Sequence, residues 1–381
     1  MKIASIVGAR PQFVKLAPVD EELKKRGHEH VIIHTGQHYD YEMSKAFFEQ
    51  LSIPEPDYNL EVGSGTHAYQ TGQMLIRLGE TLEVEQPDLV IVYGDTNSTL
   101  AGALAAVKLR IPSGHVEAGL RSFDFTMPEE INRIVADRIC QLHFAPTATA
   151  VKNLKKEGID EKLIFLTGNI MAETLLKNLN KARLSTILER LRLKPAEYAI
   201  LTCHRQENTD DPARLTRIFA ALKSSPVPVV FPAHPRTRKR IEEYLIFEKA
   251  GIKNEISLID PLPYLDFINL EINSLFVLTD SGGVQEETLI LNKPCITLRY
   301  NTERVESLEA GSNRLVGAEE ELIKQAIEWA VREAEDKKIY PVPENWDIKV
   351  SERILTAIEN IHELNNLLEV PEDFLINGSS W

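Results

Sequence analysis

Cysteine is scarce in this chain. Cys140, Cys203 and Cys295 are the only three in 381 residues, and no C-x-x-C spacing joins any of them. That excludes a disulfide scaffold and a thiolate metal site, and it reads as three buried, reduced thiols. Long apolar runs are missing too, so no segment is expected to cross a bilayer as a helix. Met1 to Val7 enter a strand at once and have no signal-peptide shape, so a cytoplasmic location is expected. Positive charge is in the minority: 43 Lys and Arg against 57 Asp and Glu give a net charge of −14. A non-specific nucleic-acid binder needs a basic stripe and is excluded. An anionic small ligand is not, because a few cations in a cleft dominate locally. The G-x-G-x-x-G fingerprint does not occur, so no dinucleotide cofactor is implied. His28, His30 and His34 have no acid or thiol at ligand spacing, and no metal is expected.

What the chain has in quantity is alternation. Short apolar runs at 2–7, 30–35, 88–93, 113–116, 142–145 and 163–167 predict strands, with helices between them such as 18–26 and 98–109. A helical stretch over 171–194 ends at Pro195, and a second series of strands follows at 198–202, 228–231, 256–259, 275–279 and 294–298. Residues 351–368 read as a last helix. Alternating β and α elements imply an α/β fold with parallel sheets, and the length suits two Rossmann-like domains with a seam near Gly168-Asn169.

Polar clusters sit at the strand tips, where open α/β sheets bind their ligands. Gly8-Ala9-Arg10-Pro11 follows the first strand; Arg10 and Lys15 suit either a phosphate or a solvated basic turn. Gln37 and His38 follow the second strand as ligand contacts. After 88–93 comes Gly94-Asp95-Thr96-Asn97, in which Asp95 is a general base, an orienting group or the cap of the next helix. The stretch His115-Val116-Glu117-Ala118-Gly119-Leu120-Arg121-Ser122 carries an acid, a flexible joint and a permanent cation to one rim. Pro128 then opens a helix on which Glu129 and Arg133, spaced i,i+4, form a surface ion pair or add a second carboxylate. Work on both faces of one carbon needs two acid–base groups in distinct environments; Asp95, Glu117 and Glu129 are the candidates. In the second half, His204-Arg205 at a strand tip suits a diphosphate. Asp280-Ser281-Gly282-Gly283 starts a helix: Ser281 suits a cap, and Gly282 and Gly283 let a ligand approach the amides. Glu287 lies farther along, suited to ribose hydroxyls.

In order and spacing these clusters resemble the non-hydrolysing UDP-N-acetylglucosamine 2-epimerases. The match runs over roughly residues 3–310 and includes Thr167-Gly168-Asn169, His204-Arg205-x-Glu207-Asn208 and Thr302-Glu303-Arg304. The resemblance implies the two-domain glycosyltransferase-B fold with an interdomain cleft. Residues 1–169 plus 351–381 would form the N-terminal domain, closed by a returning C-terminal helix, and 170–350 the UDP-binding domain. It implies reversible C2 epimerisation of UDP-N-acetylglucosamine to UDP-N-acetylmannosamine, by loss and re-addition of UDP through 2-acetamidoglucal. It implies a homodimer with no cofactor, no metal, and no nucleic-acid or membrane partner. Asp95, Glu117, Glu129 and His204 would be catalytic. Arg10, Lys15, Gln37, His38, Ser281, Gly282, Gly283 and Glu287 would bind the UDP-sugar, while Arg133 and Arg304 touch the diphosphate or support the cleft. The alternatives are a C2 epimerase of another UDP-acetamido sugar, a hydrolysing epimerase, or a glycosyltransferase of the same fold. The chain departs from the family's pattern at Ala9 and Gln12, where Thr and Glu are common, and at Asp40, where many bacterial members carry Gln.

Overall fold

The computed structural model describes residues 1–37 and 50–361. They divide into two compact units: the described residues of 1–44, 52–170 and 349–381 form the first, and those of 45–51 and 171–348 the second.

The first unit is built on a seven-stranded parallel sheet. Its strands are β1 (Lys2–Val7), β2 (Glu29–His34), β3 (Tyr58–Asn59), β4 (Leu89–Tyr93), β5 (Ser113–Val116), β6 (Leu142–Ala145) and β7 (Ile164–Leu166), in the order β3-β2-β1-β4-β5-β6-β7. Every residue of β4 is buried, as a central parallel strand covered on both faces must be. The edge strands β3 and β7 keep no fully buried residue. The second unit repeats the plan with six parallel strands. These are β8 (Ala199–Thr202), β9 (Val229–Pro232), β10 (Ile256–Ile259), β11 (Val277–Thr279), β12 (Cys295–Thr297) and β13 (Asn313–Leu315), ordered β10-β9-β8-β11-β12-β13. The two parallel α/β sheets are those the alternation predicts. β3 and β13 escaped prediction because Tyr58-Asn59 and Asn313-Arg314-Leu315 carry too little apolar pattern.

Strand order reverses between β1 and β4 in one sheet and between β8 and β11 in the other. In open sheets such a switch point is where connections diverge and a ligand crevice opens. Register does the rest. Ile6 pairs with Val92, and Tyr93 with Val116, so the turns that follow β1, β4 and β5 leave the first sheet at one level. Thr279 pairs with both Thr202 and Thr297, which does the same for the second.

Three helices differ from expectation. The first runs Arg10–Lys25, with Pro11 in its first turn and Pro18 inside it. An internal proline costs about 3 kcal/mol, yet Phe13, Val14, Leu16, Val19 and Leu23 form a buried face on both sides of it, and that burial prevails. Residues 171–194 are two helices, Ile170–Arg183 and Ile187–Leu191, because the Ser185 hydroxyl accepts from the Ile187 N–H at 3.2 Å and starts a new turn. The last described helix is Val350–Glu359; residues 362–368 of the predicted helix lie outside the described residues. It is tied to the first helix of the same unit through Arg26, which donates to Glu359 at 2.5 Å and to the Glu352 carbonyl at 3.1 Å.

Among the described residues no helix is long and apolar enough to cross a membrane. Cys140, Cys203 and Cys295 are free and buried. Burial pushes the thiols of Cys140 and Cys295 up to about 12.

Candidate functional site

The first unit gathers its acids at the switch point. Gly94, with φ +64°, turns the chain out of β4, a conformation that costs glycine nothing. A Cβ at this position would lie 2.8 Å from Lys15 Nζ and 3.5 Å from Glu117 Oε2. The chain thus passes directly over an ion pair: Lys15 Nζ donates to Glu117 Oε2 at 2.5 Å, with both side chains buried. Glu117 itself has φ +74°, a left-handed backbone on a residue that disfavours it. Lys15, expected as a phosphate grip, is committed to this acid.

Asp95 is about one-third exposed, and its Oδ2 accepts from Arg133 Nη2 at 2.5 Å. The expectation for Arg133 needs correction. It is buried rather than on the surface, and its second carboxylate is Glu130, at i,i+3, not Glu129. Glu130 is fully buried and also accepts from the Ser122 and Phe123 amides at 2.9 Å, which fixes the loop after Glu117. Glu129, half-buried, makes none of these bonds. Asp95 is not the cap of its helix; Thr96 is, accepting from the Thr99 amide. Arg121 is no rim cation either. It is buried between Asp137 at 2.7 Å and Glu157 at 2.6 Å.

Gln12 was missed as a site residue. Its Oε1 accepts from the amides of Gly8 and Ala9 at 2.8 and 3.0 Å, and its Nε2 donates to the Tyr93 carbonyl at 2.9 Å. It thereby stitches the turn after β1 to the end of β4. A glutamine at the third helical position is half of a capping box, which is the signal that would have found it. Arg10 is the first residue of that helix and half-buried. Gln37 Oε1 accepts from the Ser98 amide and hydroxyl at 3.2 and 2.7 Å, so it shapes the rim from behind. His38 lies outside the described residues.

The second unit has its own rim around Asp280, which is fully buried. Asp280 accepts from the amides of His204 and Arg205 and from Asn208 Nδ2 at 3.0–3.1 Å. His204 Nδ1 faces Oδ1 at 3.1 Å, and the imidazole is about half exposed. Burial alone would raise the pKa of Asp280; His204 and the converging donors outweigh it and hold the carboxyl well below the usual range. Asp280 therefore holds the Nδ1 side of His204 while the ring stays about half exposed. Helix Gly282–Ile290 begins here. Ser281 precedes it but makes no side-chain cap, and its amide donates to Thr279 Oγ1 at 2.9 Å instead. The two glycines differ. A Cβ on Gly282 would meet Glu303 Oε1 at 2.4 Å, whereas one on Gly283 finds nothing nearer than 3.9 Å. Packing explains Gly282; Gly283 would take a Cβ at ordinary contact distance, so packing does not demand its glycine. Arg304 is buried against Glu286 at 2.6 Å, a supporting position. Glu287 is buried beside Glu271. Burial pushes Glu287 up to about 8, and the same desolvation together with the Glu287 charge raises Glu271.

Two further clusters carry no site. No group of three or more His, Cys, Asp or Glu among the described residues is disposed to hold a metal. Asp20, His30 and Ser5 form a linked Asp-His-Ser array at 2.8 Å per bond, but Ser5 Oγ is fully buried and bonded to the Tyr93 hydroxyl at 2.9 Å, so no substrate reaches it.

Residues 21–359 match the protein family described as UDP-N-acetylglucosamine 2-epimerase. A Methanococcus maripaludis protein named as a homolog of that enzyme is 49% identical over 96% of this chain and 100% of its own length. A Pseudomonas aeruginosa UDP-2,3-diacetamido-2,3-dideoxy-D-glucuronate 2-epimerase is 47% identical over 86% of this chain and 91% of its own. The crystal structure of Methanocaldococcus jannaschii UDP-GlcNAc 2-epimerase, in complex with UDP-GlcNAc and UDP, superposes with a TM-score of 0.89 at 45% identity. It covers 94% of this chain and 100% of that one.

Proposed function

Since this chain belongs to the UDP-N-acetylglucosamine 2-epimerase family of isomerases, we propose that it interconverts UDP-N-acetylglucosamine and UDP-N-acetylmannosamine. One observation carries the reading. Asp95 and Glu117 follow the paired strands β4 and β5 of the first sheet, each with its own buried cation, Arg133 and Lys15.

The C2 hydrogen of a sugar is not acidic by itself. As UDP departs, C1 becomes electron-poor, the C2–H pair moves into a C1=C2 bond, and 2-acetamidoglucal and UDP result. Returning the proton to the opposite face of C2, with re-addition of UDP at C1, completes inversion. Two steps need help. The diphosphate charge must be stabilised, which suits Arg10, His204 and the amides at Gly283. The proton must leave one face and arrive on the other, which suits Asp95, Glu117 and the half-buried Glu129. Glu287 serves the ribose. Lys15 and Arg133 act as counter-charges to the acids, and Gln37 supports the rim.

A second reading is favoured by the Pseudomonas aeruginosa relative, whose identity rivals that of the UDP-GlcNAc enzymes. In it the same chemistry acts on a UDP-diacetamido uronic acid. Incubation with each UDP-sugar in deuterated water, followed by proton NMR, decides. UDP-ManNAc bearing deuterium at C2 supports the first reading. Turnover of the uronic acid alone supports the second. Release of free sugar and UDP means a hydrolysing enzyme, and no turnover of either without an acceptor means a transferase.

A further inference from the structure

We propose that Asp137 is a positioning residue which, acting through His115, holds the Asp95 and Glu117 turns in one register; this rests on reading those two acids as the proton-transfer groups. Asp137 is 1% exposed, on the helix Pro128–Ile139, and no ligand reaches it. Its two oxygens divide their work. Oδ1 receives His115 Nδ1 at 2.6 Å, and His115 Nε2 donates to the Gly94 carbonyl at 2.7 Å. A carbonyl only accepts, so Nε2 carries a proton. Oδ2 accepts from the Gly119 amide at 3.0 Å and from Arg121 Nη1 at 2.7 Å. Gly94 directly precedes Asp95, and Gly119 follows Glu117 by two residues.

Both turns need such a hold. Gly94 is as free to leave its φ of +64° as to keep it, and Glu117 at +74° sits outside the basin its side chain prefers, so the local backbone does not fix either acid by itself. Bonds from a third element do. Burial would raise the pKa of Asp137, but His115, Arg121 and the Gly119 amide prevail and hold it below the usual carboxylate range, so it stays an acceptor. Glu157 holds Arg121 from the far side at 2.6 Å, which anchors the assembly.

Asp137→Ala removes both holds. Its kcat is expected to fall about 100-fold, the scale of an ångström-size misplacement, with KM and UDP affinity within about twofold of the parent. Asp137→Asn keeps an acceptor for the Gly119 amide and an N–H for an imidazole protonated on Nε2; it should recover about tenfold of that loss. Asp20→Asn is the control. Asp20 is a buried aspartate of the same unit paired with His30 at 2.8 Å, and its variant should keep kcat within about twofold. Hydrogen exchange supplies a readout free of substrate: amides at 94–97 and 117–122 should exchange faster in Asp137→Ala, and those at 3–7 much less. The proposal is overturned if kcat and UDP affinity fall together, if Asp20→Asn loses as much kcat, or if exchange at the two turns is unchanged. If Asp137→Ala does not fold, Asp137→Asn and His115→Gln are judged by the same criteria. A parent enzyme that leaves UDP-GlcNAc untouched sinks the substrate reading alone, and the positioning role is then judged on exchange.

Discussion

Lys15→Met removes an ammonium and keeps most of the stem. The ammonium lies 2.5 Å from Glu117, in a pair whose side chains are 8% and 3% exposed. Truncating one partner of such a pair costs about 3–5 kcal/mol, because the remaining charge stays buried without its counter-ion. A domain holds about 5–15 kcal/mol in total, so the first unit loses a large fraction of its stability. At about 1.4 kcal/mol per decade, amides of β4 that exchange through global opening should speed up by about two to four decades. Hydrogen exchange read on β4 and β5 peptides is the suitable assay. The double variant Lys15→Met/Glu117→Gln takes away both charges and should regain most of the protection, as buried pairs replaced together usually do. A single-variant loss under about 1 kcal/mol, the size of a surface pair, would refute the reasoning. So would a double variant no better protected than the single.

Glu117→Gln and Asp95→Asn should each lower turnover by about 10²–10⁴-fold, the usual worth of an acid or base, while UDP affinity measured by calorimetry moves little. Gly283→Ala should fold normally, since its Cβ has 3.9 Å of room, yet bind UDP more weakly; Gly282→Ala should lower the melting temperature, because Glu303 must move away from 2.4 Å. A carboxyl whose folded pKa is raised binds its proton better folded than unfolded. Its stabilising effect is therefore greatest below the ordinary value of 4.5 and is lost as pH rises toward about 8. The urea midpoint of the second unit, followed by the fluorescence of Trp329 and Trp346 in a Trp381→Phe background, should fall between pH 5 and 8, and Glu271→Gln/Glu287→Gln should flatten that slope.

The sheets were legible because central parallel strands are apolar on both faces: Leu89 to Tyr93 announces itself, and β11 and β12 nearly as well. Strand tips were legible because polar clusters cannot continue such strands. What could not be read was which charge faces which. Arg133 pairs as well with an acid three residues back as four, and the helical period alone does not choose. Arg121 looked like a ligand cation because Asp137 and Glu157, its partners, stand 16 and 36 residues away and meet it only in the fold. Glu129 is the acid the sequence singles out on that helix, yet its buried neighbour Glu130 holds a loop and the half-buried Glu129 does not. Polar residues in the sequence mark a rim; the fold decides which of them face outward and which hold the others.

Glu117 occupies a place that two separate preferences would deny it. The left-handed backbone favours glycine by about 1 kcal/mol or more, and the interior favours an uncharged side chain. Exchanging Lys15 and Glu117 together for methionine and glycine would relieve both tensions at once. Variants chosen for resistance to heat would drift toward that exchange and come out sturdier and silent. For this chain, a high melting point is a poor guide to a working copy.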